Sequence, residues 1–115
     1  MEAIVYTSNT GTTKEYAKLL SDKLSLPYYS LDEIKNKVKP GGKIIYLGWI
    51  MASGVKGYKK AIKDYDVCAV GAVGMGETGT QVKEVRTKNK IPSSKPVFTL
   101  QGGFDVKKLH GIINL

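Results

Sequence analysis

Apolar residues along this chain come in short runs, and amphipathic stretches separate them. Ala3 to Thr7 is a continuous apolar run, as a central parallel strand buried on both faces requires. From Thr13 to Leu24, the residues Tyr16, Ala17, Leu20 and Leu24 recur at helical spacing, with Lys14, Lys18 and Asp22 opposite. This predicts a helix laid on a sheet. Leu26 to Leu31 reads as a second strand, with Pro27 marking its start or a sheet edge. Leu31 to Val38 reads as a short helix. Asp32 and Glu33 stand near its N-terminus and Lys35, Lys37 and Lys39 near its end, a polarity that suits the helix dipole. Pro40-Gly41-Gly42 closes it as a turn.

The same rhythm continues. Lys43 to Leu47 reads as a third strand, and Gly48 to Gly54 as a loop holding the chain's single Trp. Val55 to Tyr65 reads as a basic helix with Tyr58, Ala61, Ile62 and Tyr65 on its inner face. Val67 to Val73 is a fourth buried strand, and Gly74 to Gly79 a glycine-bearing loop. The charged stretch Thr80 to Lys90 is helical or partly irregular, anchored by Val82 and Val85. Two prolines keep Ile91 to Pro96 out of any regular ladder, and Val97 to Leu100 is a fifth strand. Gln101 to Phe104 is a loop, and Asp105 caps a short last helix ending at Leu115. Strands alternating with helices imply a parallel sheet with right-handed crossovers. The expectation is one α/β domain over residues 1–115, an open, three-layer, doubly wound five-stranded parallel sheet.

Composition narrows the class. With 115 residues the chain can bury one core, and 42% hydrophobic with 24% charged residues is the balance of a soluble globular protein. No apolar run has the length of a membrane span, and the chain enters a strand at once, which argues against a signal peptide. One Cys permits no internal disulfide and suits a reducing cytoplasm. Cys68 lies within an apolar run and reads as a small buried packing residue. The net charge of +8 favours anionic partners. The lysines are spread over every helical segment without a block of five, so they read as solvated faces rather than a nucleic-acid surface. No clustered Cys, His or carboxylates suggest a metal, and the single His110 reads as a surface or packing residue. No nucleophile–base pair is evident, so any chemistry would belong to a cofactor.

One stretch carries chemistry of its own. Ser8-Asn9-Thr10-Gly11-Thr12-Thr13 packs four hydroxyl side chains and a glycine between the first strand and the first helix. A helix N-terminus offers free N–H groups and a dipole that favours negative charge, and hydroxyls add donors. The plain alternative is a strand-to-helix turn with a Thr cap, but one capping hydroxyl would suffice for that. No Lys lies inside the loop, so it is not a nucleotide-binding loop of the Gly-x-x-x-x-Gly-Lys type.

Ser-x-Thr-Gly-x-Thr after a first strand resembles the FMN-phosphate loop of flavodoxins, and nearly the whole chain resembles a short flavodoxin-family protein. The ending Leu100-Gln-Gly-Gly-Phe-Asp-Val-Lys-Lys-Leu109 resembles, more weakly, the flavodoxin-type protoporphyrinogen oxidases. The resemblance implies the strand order 2-1-3-4-5 and a ligand crevice at the carboxyl ends of the strands. It implies FMN as cofactor, with Ser8, Asn9, Thr10, Gly11, Thr12 and Thr13 holding the phosphate. Gly48, Trp49, Ile50, Met51, Ala52 and Ser53 would flank the ring on one side, and Gly74, Met75, Gly76 and Gly79 on the other. Trp49 could stack on the ring or pack under its loop. A phosphoacceptor receiver domain shares the fold, but it needs acidic residues where this chain has Thr7 and Gly48.

Three departures from the family matter. Electron-transfer flavodoxins are acidic, whereas this chain is basic, which points to an acidic or membrane-associated redox partner or a small-molecule acceptor. The last helix is also short, which predicts a homodimer or a partner covering the open sheet face. The fourth-strand loop has Met75 and no aromatic, so one ring face would be less covered. The leading expectation is an FMN-binding redox protein. The alternatives are an interaction module on the same fold without tight cofactor binding, and an oxidase acting on a porphyrin-like substrate.

Overall fold

A computed structural model describes residues 1–8, 11–74 and 81–101 of the chain. Its elements are β1 (Ala3–Thr7), α1 (Thr12–Leu24), β2 (Tyr28–Ser30), a 3-10 turn (Ile34–Asn36), β3 (Lys43–Met51) and β4 (Gly54–Val55). Then follow α2 (Tyr58–Asp64), β5 (Asp66–Gly74), α3 (Val82–Asn89) and β6 (Val97–Gln101). The strands form one sheet in the order β2-β1-β3-β5-β6, parallel throughout, with β4 paired antiparallel to β3. The fold is therefore α/β with a mostly parallel sheet. Among the described residues it holds six strands rather than the five expected, and the expected order 2-1-3-4-5 has no place for β4.

Period-two alternation sorts the strand residues onto two faces. Ile4, Tyr6, Ile45, Leu47, Val73 and Leu100 face α1, which buries Tyr16, Ala17 and Leu20 against them. Ala3, Val5, Ile44, Tyr46, Val70 and Ala72 face the other way, against Tyr58 and Ala61 of α2, Val85 of α3, and Ile34 of the 3-10 turn. Helices on both faces explain why β1 is apolar without a break. Gly71 belongs to the α1 face, where a Cβ would run into Leu47 and the Phe98 ring.

Most differences from the sequence reading lie in the middle of the chain. The third strand does not stop at Leu47 but runs on to Met51, and the predicted loop becomes a β-hairpin closed by Ala52 and Ser53. Both turn residues have positive φ, 50° and 65°, the two-residue geometry whose twist matches its strands. Gly48, read as a strand stop, is the place where the hairpin folds back. A Cβ there would stand 2.5 Å from the Lys56 carbonyl oxygen and 2.7 Å from Val55 Cγ1. The helix after it starts at Tyr58, not Val55. Ile62, expected on its inner face, is 46% exposed, because it sits about a quarter-turn past the buried Ala61.

Smaller differences follow similar logic. The second strand is three residues long, and the helix expected over Leu31 to Val38 is a single 3-10 turn. Cys68, expected to be buried, is half-buried. The ladder between β3 and β5 pairs Ile44 with Val67 and Ile45 with Ala69, so Cys68 is the extra residue of a bulge. The last predicted helix, over 105–115, lies outside the described residues, and with it the expected open sheet face. Among the described residues no helix is long and apolar enough to cross a membrane.

Candidate functional site

β1 is flanked by β2 on one side and β3 on the other, so the chain winds away from it in both directions. In an open α/β sheet this switch point opens a crevice beyond the carboxyl ends of the strands. The hydroxyl-rich stretch leaves β1 at that place. Ser8 follows the strand, half-buried, and its Oγ accepts the Gly11 N–H at 3.0 Å. Gly11 is the N-cap of α1 with φ 95°, and a Cβ built on it would meet nothing within 4 Å. Gly11 has no side chain with which to cap the helix, and the first helical bond runs from the Glu15 N–H to the Gly11 carbonyl. The N–H groups of Thr12, Thr13 and Lys14 thus have no acceptor inside the helix. Thr12 is half-buried and Thr13 is buried. Asn9 and Thr10 lie outside the described residues.

The residues expected beside a ring are distributed differently. Gly48, Trp49, Ile50 and Met51 belong to β3 itself, and Ala52 and Ser53 form its hairpin turn. Trp49 is half-buried, opposite Val73, and alternation places it on the α1 side of the sheet. Ile50 lies on the other side, so close to Gly74 that a Cβ there would be 2.9 Å from Ile50 Cδ1. Both glycines are thus accounted for by protein packing. Met75, Gly76 and Gly79, and the loop after β6, lie outside the described residues. Among the described residues no group of Cys, His, Asp and Glu could hold a metal ion.

A pocket of about 380 Å³ opens beside the first loop, at the carboxyl ends of β1 and β2. Thr7, Ser8, Ser30, Asp32, Lys56 and Lys60 line it. Two ammonium groups against one carboxylate give it a cationic rim with three hydroxyls, while Tyr6 and Leu31 also line it and leave much of its wall apolar. Lys56 and Lys60 escaped the sequence reading because they arrive from the hairpin exit and from α2, far from the first loop in the chain. Ser30 is held by Glu33, whose Oε1 accepts the Ser30 N–H at 3.2 Å, while the Glu33 N–H bonds the Ser30 carbonyl at 3.0 Å. Hydrogen bonding to Ser30 keeps the Glu33 carboxyl below the usual range.

The buried phenol of Tyr46 ties these parts together. It donates to the Lys56 carbonyl at 2.5 Å. Its single proton being used, the Thr7 hydroxyl donates to the phenol oxygen at 2.6 Å. The exit of β1 is thereby pinned to the exit of the hairpin. Burial pushes the Tyr46 phenol up to about 12, against the Thr7 bond, which acts in the other direction. Burial likewise raises Tyr16 to about 12. In the folded chain these phenols keep protons that the unfolded chain releases near pH 10, so stability is lost as pH climbs from 10 towards 12. We expect Tyr46→Phe to lower stability at neutral pH by roughly 1–3 kcal/mol, since the Lys56 carbonyl loses its donor. The same variant should show a shallower alkaline decline. Urea unfolding across this range checks both signs; an unchanged alkaline slope would remove Tyr46 as a contributor.

Searches against known protein families, curated proteins and solved structures return no match to this chain.

Proposed function

We propose that the chain binds FMN non-covalently at the carboxyl edge of the sheet and serves as a redox protein. The observation that carries this reading is the β1–Ser8–Gly11–α1 junction: first-turn N–H groups with no acceptor inside the helix, an open glycine cap and flanking hydroxyls at the sheet's switch point. Such donors suit a phosphate. Ser8, Thr12 and Thr13, with Asn9 and Thr10 between them in the sequence, would hold it, and the α1 dipole would offset its charge. The bound flavin would supply electron transfer. The chain's own part is to bind the phosphate and to set the ring against β3 and β5, where Trp49 and Gly74 stand. Strand order 2-1-3-4-5, with β4 counted as an insertion, belongs to the same proposal, as does a cytoplasmic location.

A second reading rests on the hairpin. Gly48 to Ser53 form regular β-structure packed on its own return strand rather than an open ring-holding loop. That favours an interaction module which keeps the fold without tight flavin binding. Titrating the purified chain with FMN and with riboflavin separates the two, by quenching of flavin fluorescence. The redox reading expects saturable binding of FMN and weaker binding of riboflavin, which lacks the phosphate. No binding of either supports the interaction module.

The phosphate role gives a further expected outcome with two opposite signs. Thr12→Glu places a carboxylate in the first turn of α1. It should weaken FMN binding about tenfold or more, because two anions then compete for one dipole. It should leave the thermal midpoint unchanged or slightly raised, because an acidic residue in the first turn stabilises a helix. Equal FMN affinity with and without the carboxylate would remove the loop from the site.

A further inference from the structure

Independently of any flavin, we propose that the groove between α2, α3 and the β3–β4 hairpin is a docking site for an extended acidic segment of a partner protein. Two adjoining hollows of about 440 and 470 Å³ form it, joined at Lys88, which lines both. Lys56, Lys59 and Lys60 approach from the hairpin exit and α2, and Lys83 and Lys88 from α3. Among the residues lining the two hollows the one carboxylate is Glu84. None of these five lysines forms an ion pair with a described residue. Five like charges around one groove, with no ion pair to a described residue, repel one another, and a bound anionic chain relieves that cost.

The groove also selects among anionic partners. Met51, 55% exposed at the hairpin tip, gives it an aliphatic foothold, which suits a peptide mixing acidic and aliphatic residues. Among the described residues no Arg and no aromatic side chain lines it, which leaves out the stacking and forked contacts that single-stranded nucleic acid uses. A bilayer is flat on this scale, whereas the lysines border a concavity. The partner is held through side chains rather than by adding a strand. Two backbone groups on the side of the hairpin that faces the groove are already taken: Asn89 accepts the Val55 N–H at 3.0 Å and donates to the Ser53 carbonyl at 3.1 Å. This places the docked segment against the hairpin, next to the carboxyl edge of the sheet.

The test uses the full chain and a fluorescein-labelled, glutamate-rich peptide with leucines interspersed, followed by anisotropy. Lys59→Gln/Lys60→Gln/Lys88→Gln should weaken binding about tenfold. Lys18→Gln/Lys35→Gln/Lys43→Gln removes the same charge from exposed positions elsewhere and should change it less than about twofold. Both triples alter only exposed lysines, and circular dichroism checks that each stays folded. Equal losses in the two triples would reduce the effect to net charge and overturn the groove. Tighter binding of a single-stranded oligonucleotide of equal charge, sensitive to the groove triple, would replace the peptide by nucleic acid. Binding of anionic phosphatidylglycerol vesicles without binding of the peptide would replace it by a membrane surface.

Discussion

Asn89→Asp should cost this protein about 3–5 kcal/mol near neutral pH, although it changes a single atom. The Asn89 carboxamide is 7% exposed and makes three bonds to backbone. Its Oδ1 accepts from Val55 N–H at 3.0 Å, and its Nδ2 donates to the carbonyls of Ser53 at 3.1 Å and Val85 at 2.8 Å. The hairpin is thereby held to the end of α3 by one side chain. In the Asp variant an oxygen replaces the donor and faces two carbonyl oxygens, and the charge is poorly solvated. Its carboxyl would titrate above the ordinary range, so the penalty should ease as pH falls and the acid regains a proton to donate. Asn89→Leu removes charge and hydrogen bonds together. It should cost roughly 2–4 kcal/mol, independent of pH, because the Val55 N–H and the Ser53 carbonyl are left unpaired. Urea unfolding at neutral and mildly acidic pH separates the two variants. An Asp variant as stable as the parent at neutral pH would show that the carboxamide does not hold the hairpin.

Asn89 also shows where reading the sequence stops. A single Asn within Val82-Lys-Glu-Val-Arg-Thr-Lys-Asn89 looks like one more polar residue on a solvated face. Its role appears only when a hairpin some thirty residues earlier is brought against it, and nothing local announces that hairpin. Ala52 and Ser53 take up positive φ, yet neither is the Gly, Asn or Asp that usually signals such a turn. The glycines at 48 and 54 drew attention instead and suggested an open loop. Where burial on both faces leaves a continuous apolar run, as in β1 and β5, the strand was legible from composition alone. Where helical period and burial agree, as at Tyr16, Ala17 and Leu20, so was the helix.

The candidate site divides in the same way. Ser8 to Thr13 is contiguous in the chain, and the strand-to-helix junction there follows from local pattern, although Thr12 and Thr13 already belong to α1. Lys56 and Lys60 come to the same pocket through a crossover, and sequence spacing carries no trace of that. Trp49 was placed at the right edge of the sheet but in a loop. It belongs to a strand, because the return of Val55 and Lys56 over Gly48 extends the pairing beyond Leu47.

Gly57 is where the pocket and the core meet, and Gly57→Ala should cost about 3 kcal/mol. Two separate effects add there. Gly57 has φ 84°, a conformation that costs an L-residue about 1–2 kcal/mol. In addition, its Cβ would run into the Tyr46 hydroxyl and stand 2.7 Å from Thr7 Oγ1, both of them fixed by their mutual bond. Displacing that pair adds an overpacking cost of about 1–3 kcal/mol. Gly41 separates the two effects, for it has nearly the same φ, 83°, but open space around it. Gly41→Ala should therefore carry the backbone cost alone, and its thermal midpoint should fall by about half as much. Tyr46→Phe removes the hydroxyl that the new methyl strikes, so Gly57→Ala should cost less in that background than in the parent. This coupling is what a double-mutant cycle reads. Equal midpoints for the two alanine variants, with no coupling to Tyr46, would mean that the Thr7–Tyr46–Lys56 junction yields freely. The first loop and the hairpin would then not be held in fixed relation by this contact.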